Sequence, residues 1–266
     1  MPDSDPFGVL NRTFVVIGGT AGLGLSAAKA LVANGANVVV AGRSPANLDR
    51  ALSELGSAAR GLTGDAADPD TAKTAVAFAV DSFGKLDGLY HVAGGSGRSK
   101  GDGPLHEITD EGWSFTCDLN LSSLIYSNRA AVQQLLEQGS GGSILNMGSV
   151  LGFSPSPAFF ASHGYAATKS AALGFTKSIA AYYAQQNIRA NVVAPALVET
   201  PMSERAQTNE DIMNFVATKQ PLDGGRIGTP NDLDEAVLYL LGSRSKFVTG
   251  QVLAVDGGWS VTEGQL

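Results

Sequence analysis

The chain has 266 residues, 44% of them hydrophobic and only 16% charged, with 33 glycines; this balance suits a compact α/β protein with a full core and excludes a disordered or fibrous chain. A formal net charge of −7 without any Lys/Arg run argues against nucleic acid or an anionic membrane surface as a partner. The single cysteine, Cys117, rules out an internal disulfide, fits a reducing compartment and reads as a buried structural thiol.

From the N-terminus, Met1–Leu10 carries Asp3 and Asp5 and no long apolar stretch, so no secretory signal is expected there. Thr13–Ile17 reads as a strand and Leu23–Asn34 as a helix stopped by Gly35, a residue suited to the left-handed turn after a helix. The strand Asn37–Ala41 precedes a helix over Pro45–Leu55, and a strand near Gly61–Thr63 precedes a helix over Thr71–Phe83. After the strand Leu86–Val92, the pattern predicts one long helical stretch, Asp110–Gln138, closed by Gly139, Gly141 and Gly142. The strand Ser143–Met147, a helix over Tyr165–Gln185 and the strand Ile188–Ala194 follow. Thr229 reads as a helix cap with Pro230 at the first helical position and Asp232 in the first turn, and Gln251–Val255 as the last strand. Seven strands alternating with helices imply right-handed crossovers and a parallel sheet covered on both faces, hence an α/β, three-layer doubly wound fold in one domain over residues 1–266.

Two stretches stand apart. Gln138–Thr168 has no charged residue, yet Asn146, Pro155 and Pro157 interrupt it, so it is not read as a membrane span and a cytoplasmic location is expected. Ala196–Leu222 lacks clear strand or core-helix patterning and directly follows a strand, on the sheet edge where ligands bind; it is expected to be a substrate lid.

Between the first strand and helix runs Gly18-Gly19-Thr20-Ala21-Gly22-Leu23-Gly24. Glycines there allow a tight turn and let a pyrophosphate approach the helix N-terminus, where free N–H groups and the helix dipole favour an anion. The spacing of Gly18, Gly22 and Gly24 is GxxxGxG, and in this feature, and along nearly its whole length, the chain resembles the short-chain dehydrogenase/reductase family. The resemblance implies a Rossmann fold and a nicotinamide cofactor, with Gly18, Thr20, Gly22, Leu23 and Gly24 around its phosphates. Ile17 departs from the Thr usual in the family.

An acid at the end of the second strand would hold the ribose 2′-hydroxyl of NAD, whereas an arginine nearby accommodates the 2′-phosphate of NADP. The sequence reads Ala41-Gly42-Arg43-Ser44, with no acid. NADP(H) is therefore expected in preference to NAD(H), held by the planar fork of Arg43 and the hydroxyl of Ser44. Asp65-Ala66 matches the family position at the adenine, with Asp68 a competitor.

Tyr165-Ala166-Ala167-Thr168-Lys169 places a phenol and an ammonium one helical turn apart. A free phenol has a pKa of about 10, and a neighbouring lysine with an oxidised nicotinamide is expected to lower it. The resemblance makes Tyr165 the general acid/base and gives Lys169 the nicotinamide ribose as well. It makes Ser149, at the end of the strand Ser143–Met147 and its Gly148-Ser149 extension, the residue that polarises the substrate oxygen, with Ser154, Ser156 and Ser162 as rivals. Asn120 matches the residue that links Lys169 to a proton relay; a polar side chain satisfied by local backbone is the alternative. Ala93 and Gly94 would border the nicotinamide ribose, and Pro195, Val198 and Thr200 the carboxamide. The departures here are His91-Val92 for the family's paired asparagines, Ala196 for a glycine, and a Ser149–Tyr165 interval of 16 residues, longer than usual.

The resulting expectation is hydride transfer between nicotinamide and a carbonyl or secondary alcohol on a small molecule. A 3-oxoacyl-thioester (acyl-carrier-protein) reductase is one alternative, and a catalytically silent dinucleotide sensor or scaffold is another. No metal is expected, since His91, His106, His163 and Cys117 form no ligand-spaced set. His163 could contact substrate or be an exposed loop residue. Phe153, Phe159, Phe160, Met202, Met213 and Phe215 suggest an apolar pocket or ordinary core. The resemblance also implies a homotetramer joined through Thr249–Gly258.

Overall fold

Seven segments become the strands β1 (Thr13–Ile17), β2 (Asn37–Gly42), β3 (Ala59–Thr63), β4 (Gly88–His91), β5 (Gly142–Met147), β6 (Ile188–Pro195) and β7 (Val252–Val255). The structure, a computed structural model, describes residues 5–265, so Asp3 and the other first residues of the N-terminal stretch lie outside it. The strands form one parallel sheet in the order β3-β2-β1-β4-β5-β6-β7. Along β1 every residue is buried, because helices cover both faces of the sheet. Val16, Val38 and Val40 pack to one side with Leu31 and Leu48; Val15, Ile17 and Val39 pack to the other with Ala75 and Leu135. Each such aliphatic side chain contributes about 1.5–3 kcal/mol on burial.

The covering helices are α1 (Gly22–Ala33), α2 (Pro45–Leu55), α3 (Pro69–Phe83), α4 (Asp110–Cys117), α5 (Ser123–Gln138), α6 (His163–Tyr183), α7 (Glu204–Gln207), α8 (Glu210–Lys219) and α9 (Asp234–Leu241). Successive crossovers from β1 go one way to β2 and, after β3, the other way to β4. A crevice opens at that switch of direction, beyond the carboxyl ends of β1 and β4, as expected for open α/β sheets. Thr229 and Asp232 form a reciprocal capping box ahead of α9, as their spacing suggests. Among the described residues, no helix is long and apolar enough to cross a membrane.

Three expectations are corrected. The helix predicted over Asp110–Gln138 is interrupted by a π-helical turn, Asp118–Ser122. There the Asn120 amide donates to the Thr116 carbonyl at 3.0 Å, competing with the backbone ladder. Ala196–Leu222 is not devoid of core helix: α8 buries Ile212, Phe215 and Val216, and Asn209 caps it by accepting from the Ile212 N–H at 3.0 Å. The signal was present, as an asparagine cap, two acids and apolar residues at i, i+3 and i+4. Cys117 is half-buried rather than enclosed, with its thiol pushed up by burial and by Asp118.

Candidate active site

The turn after β1 is shaped by close backbone approach. A Cβ on Gly18, which has φ of +90°, would stand 2.7 Å from the Ala93 nitrogen, and one on Gly24 would stand 2.2 Å from the Gly18 carbonyl oxygen. The turn is tied to the sheet by the N–H groups of Gly18 and Gly19, which both donate to the Ala41 carbonyl. Ala21, ahead of α1, offers no side-chain cap, so the first N–H groups of the helix face outward without a side-chain partner. They open on a cleft of about 680 Å³ whose lining includes Gly18, Thr20, Gly22, Leu23, Arg43, Ser44, Asp65, Ala66, Ala93, Gly94 and Thr200. Gly24, Pro195 and Val198 do not line it; Gly24 sets the packing of α1, while Pro195 and Val198 lie buried behind the Thr200 turn.

At the end of β2, a Cβ on Gly42 would stand 2.1 Å from the Thr20 hydroxyl. Thr20 thus fills the space that a longer residue at position 42 would need. Arg43 is exposed at the lip, and Ser44 caps α2 by accepting from the Asn47 N–H at 3.3 Å, with its own proton left to donate. Asp65 lines the cleft, whereas its rival Asp68 caps α3 by accepting from the Asp70 N–H.

A second cleft, of about 540 Å³, shares Arg43, Gly94, Leu119 and Met202 with the first and contains Ser149 and Tyr165. Ser149 ends the β5 extension, is 7% exposed and accepts from the Leu151 N–H at 3.2 Å. Ser149 and Tyr165 line the cleft together, and the Ser149 side chain favours the Tyr165 phenolate. Of the rival serines only Ser162 reaches this cleft; Ser156 is buried elsewhere. Lys169 is 3% exposed, and its Nζ donates to the Met147 carbonyl at 2.9 Å and sits 5.6 Å from the Tyr165 ring centre.

Electrostatics here differ from the expectation. Burial pushes the Tyr165 phenol up, and the Ser149 side chain only partly opposes this. Burial also brings the Lys169 ammonium down to about 8. The protein alone therefore keeps Tyr165 protonated at neutral pH, as a proton donor requires. Stabilising the phenolate takes positive charge close to it.

Asn120, 1% exposed, binds the loop after β4: its Oδ1 accepts from the Gly95 N–H and its Nδ2 donates to the Gly95 carbonyl, both at 2.9 Å. It does not touch Lys169. The two flank the same backbone, since a Cβ on Gly94 would lie 2.8 Å from Asn120 Oδ1 and 3.4 Å from Lys169 Nζ. His91, in place of an asparagine, supports the sheet through its own contact, Nδ1 to the Ser127 hydroxyl at 2.8 Å. Burial, then the charge of Lys169, hold this imidazole down at about 3, so it is neutral.

Asp102 carries no local signal along the chain. This carboxylate, 5% exposed, accepts from the N–H groups of Gly164 and Tyr165, each at 2.9 Å. It thereby caps the start of α6 from a loop about sixty residues upstream, a task usually done by the residue just before a helix. Ser162 occupies that place and makes no side-chain cap. His163 is exposed, and its N–H donates to the Gly103 carbonyl. Of the aromatic residues expected to form a pocket, Phe160 lines the second cleft, while Phe159 and Phe215 form a cluster with Trp259 behind it and Phe153 is exposed. Among the described residues, no group of three or more His, Cys, Asp or Glu could hold a metal ion.

Comparison with known proteins agrees with this architecture. Residues 18–260 match the family described as Enoyl-(Acyl carrier protein) reductase. The chain is 32% identical to the 2,5-dichloro-2,5-cyclohexadiene-1,4-diol dehydrogenase of Sphingobium indicum, over 94% of this chain and 97% of that protein. It is 36% identical to the inactive 2-(S)-hydroxypropyl-CoM dehydrogenase 2 of Xanthobacter autotrophicus, over 87% and 98% of the two chains. A 3-ketoacyl-(acyl-carrier-protein) reductase of Brucella melitensis, solved with NADH, superposes with a TM-score of 0.84, at 26% identity and over 95% and 100% of the two chains.

Proposed function

The chain belongs to the short-chain dehydrogenase/reductase family, whose members here are oxidoreductases of CH–OH and C=O groups, and on that premise we propose that it is an NADP(H)-dependent reductase or dehydrogenase of a small carbonyl or secondary alcohol. The observation that carries this reading is the convergence of Ser149 and Tyr165 in the second cleft, with a buried Lys169 against the Tyr165 ring, beside the Gly94 that both clefts share.

The first cleft fits a dinucleotide. Gly18 and Gly22 line its floor without side chains, the start of α1 offers N–H groups to a pyrophosphate, and Asp65 also lines it. Arg43, with Gly42 and Thr20 leaving no place for an acid, supports NADP(H) over NAD(H). When bound, the nicotinamide supplies or accepts the hydride.

In the direction of reduction, Ser149 and Tyr165 donate hydrogen bonds to the substrate oxygen. As the carbonyl carbon gains hydride, the C=O π pair moves to oxygen, and Tyr165 gives that oxygen its proton. Lys169, charged below about pH 8, stabilises the phenolate left behind. Both of Asn120's polar atoms are bonded to backbone, so it serves proton resupply through the remaining lone pair of Oδ1, by way of a water, and it fixes Gly94–Gly95 beside Lys169. Orientation and stabilisation of the developing oxyanion supply the catalysis. Oxidation runs the same steps backwards.

A 3-oxoacyl thioester remains a second substrate class, favoured by the Brucella melitensis neighbour. Consumption of NADPH across a panel of ketones, aldehydes and acyl thioesters tests the reading; tight NADPH binding with no turnover would instead indicate a silent sensor. A homotetramer in the cytoplasm belongs to the same proposal. It is supported by β7 as a free sheet edge, with Leu253 39% exposed and Phe247 fully exposed nearby, and a monomer in sedimentation would refute it. Residues 196–222 would act as the lid, which limited proteolysis with and without NADPH checks.

A further inference from the structure

Besides Arg43, which it shares with the first cleft, the second cleft of this chain of net charge −7 presents two guanidiniums: Arg98, in the loop after β4, and Arg205, in α7. Both donate to one acceptor, the Phe159 carbonyl, at 3.3 and 3.2 Å. That carbonyl belongs to the lengthened segment between Ser149 and Tyr165, so the extra loop is what brings the two cations together. A neutral oxygen cannot balance two charges. Among the described residues, neither arginine has a carboxylate within ion-pair distance. The acid whose field reaches Arg98, Asp102, has both oxygens engaged by the Gly164 and Tyr165 N–H groups. Burial and the charge of Arg205 lower the proton affinity of Arg98, which shows the cost of holding the pair together. Arginine keeps its charge regardless, and both guanidiniums are exposed at the cleft, where an anion can reach them. The rest of the cleft presents apolar surface from Leu151, Phe160 and Trp259.

We propose that the substrate is a carbonyl compound, or its alcohol, bearing an anionic group (carboxylate, sulfonate or phosphate) that Arg98 and Arg205 clamp while Ser149 and Tyr165 hold the reacting oxygen. This rests on the oxidoreductase reading and adds the substrate class. Guanidinium forks recognise such oxyanions with paired hydrogen bonds, and anchoring at two points fixes which carbon faces the hydride.

The test compares keto acids of graded chain length with their methyl esters, alongside sulfonate and phosphate counterparts, using the full chain and NADPH. At least one anionic ketone should exceed its neutral partner in kcat/KM by on the order of 100-fold. Arg98→Gln and Arg205→Gln should each shrink that ratio by about tenfold, mostly through KM, and Arg→Lys should restore part of it. The ratio, not absolute activity, is the readout, so a general loosening of the loop is not mistaken for loss of the clamp. Equal efficiency of acids and esters throughout the series, or a ratio that survives in the double variant, would overturn the proposal. Binding of the same acids, followed by tryptophan fluorescence, separates the two readings. Arginine-dependent binding without turnover upholds the anion site and overturns the reductase; turnover of acids and esters alike does the reverse.

Discussion

The two clefts, which share Arg43, Gly94, Leu119 and Met202, are built in different ways. The first is lined mainly by residues 17–23, 41–47, 64–71 and 92–94, each group following one strand of the sheet. The second takes its lining from 94–99, 149–151, 160–165, 196–206 and Trp259. Its loops hold one another: Arg98 and Arg205 on Phe159, His163 on Gly103, Trp259 on the Ser154 carbonyl. A strand end with a tight turn is fixed by a few neighbouring residues, so its chemistry can be read locally. A surface assembled from mutually supporting loops has no such local signature, and it is also where one fold can acquire different substrates.

The comparison is broken most directly at the phenol of the second cleft. Tyr165→Phe should cut turnover by about 10³-fold while NADPH affinity stays within about twofold, because only proton transfer is removed. Normal turnover, read from NADPH absorbance, would end the proposed mechanism. Next in size is Arg43→Ala, which should weaken NADPH by about 100-fold and NADH by only a few fold in a fluorescence titration. An equal loss for both cofactors would detach Arg43 from the 2′-phosphate.

The pH profile probes the junction itself. Because burial lowers the Lys169 ammonium to about 8, the lysine is charged below that pH and neutral above it. The kcat/KM for reduction should therefore be level below about pH 8 and fall about tenfold per unit above it. A flat profile up to pH 10 would mean that the charge is not used. Smallest is the effect of Asp102, a positioning residue. Asp102→Ala should lower kcat about tenfold with little change in NADPH affinity and destabilise the fold by about 1–2 kcal/mol, whereas Asp102→Asn, which keeps one acceptor, should recover much of both. Equal behaviour of the two variants would assign Asp102 to general packing.

Tyr165, Lys169, Ser149 and the glycine turn were legible because each sits next to a strand or helix end that its own neighbours dictate. The alternation of seven strands with helices was legible from apolar runs alternating with helical patterns. The π-helical turn at Asn120 was not, since it depends on the amide's bonds to Gly95, which is distant in sequence. Nor was the phenol's rise, because burial is a property of the packed site.

The amino-acid sequence by itself thus determined the doubly wound sheet and the glycine turn, which follow from periodicity and turn chemistry, and the one-turn spacing of Tyr165 and Lys169, whose roles came from the family resemblance. Tertiary structure alone decided that Asp102 caps α6, that Thr20 fills the space beside Gly42, and that Arg98 and Arg205 converge on Phe159. The physical reason is range. Backbone propensity acts over a few residues, whereas a cap, a filled space or a charge clamp exists only once distant segments have been packed together.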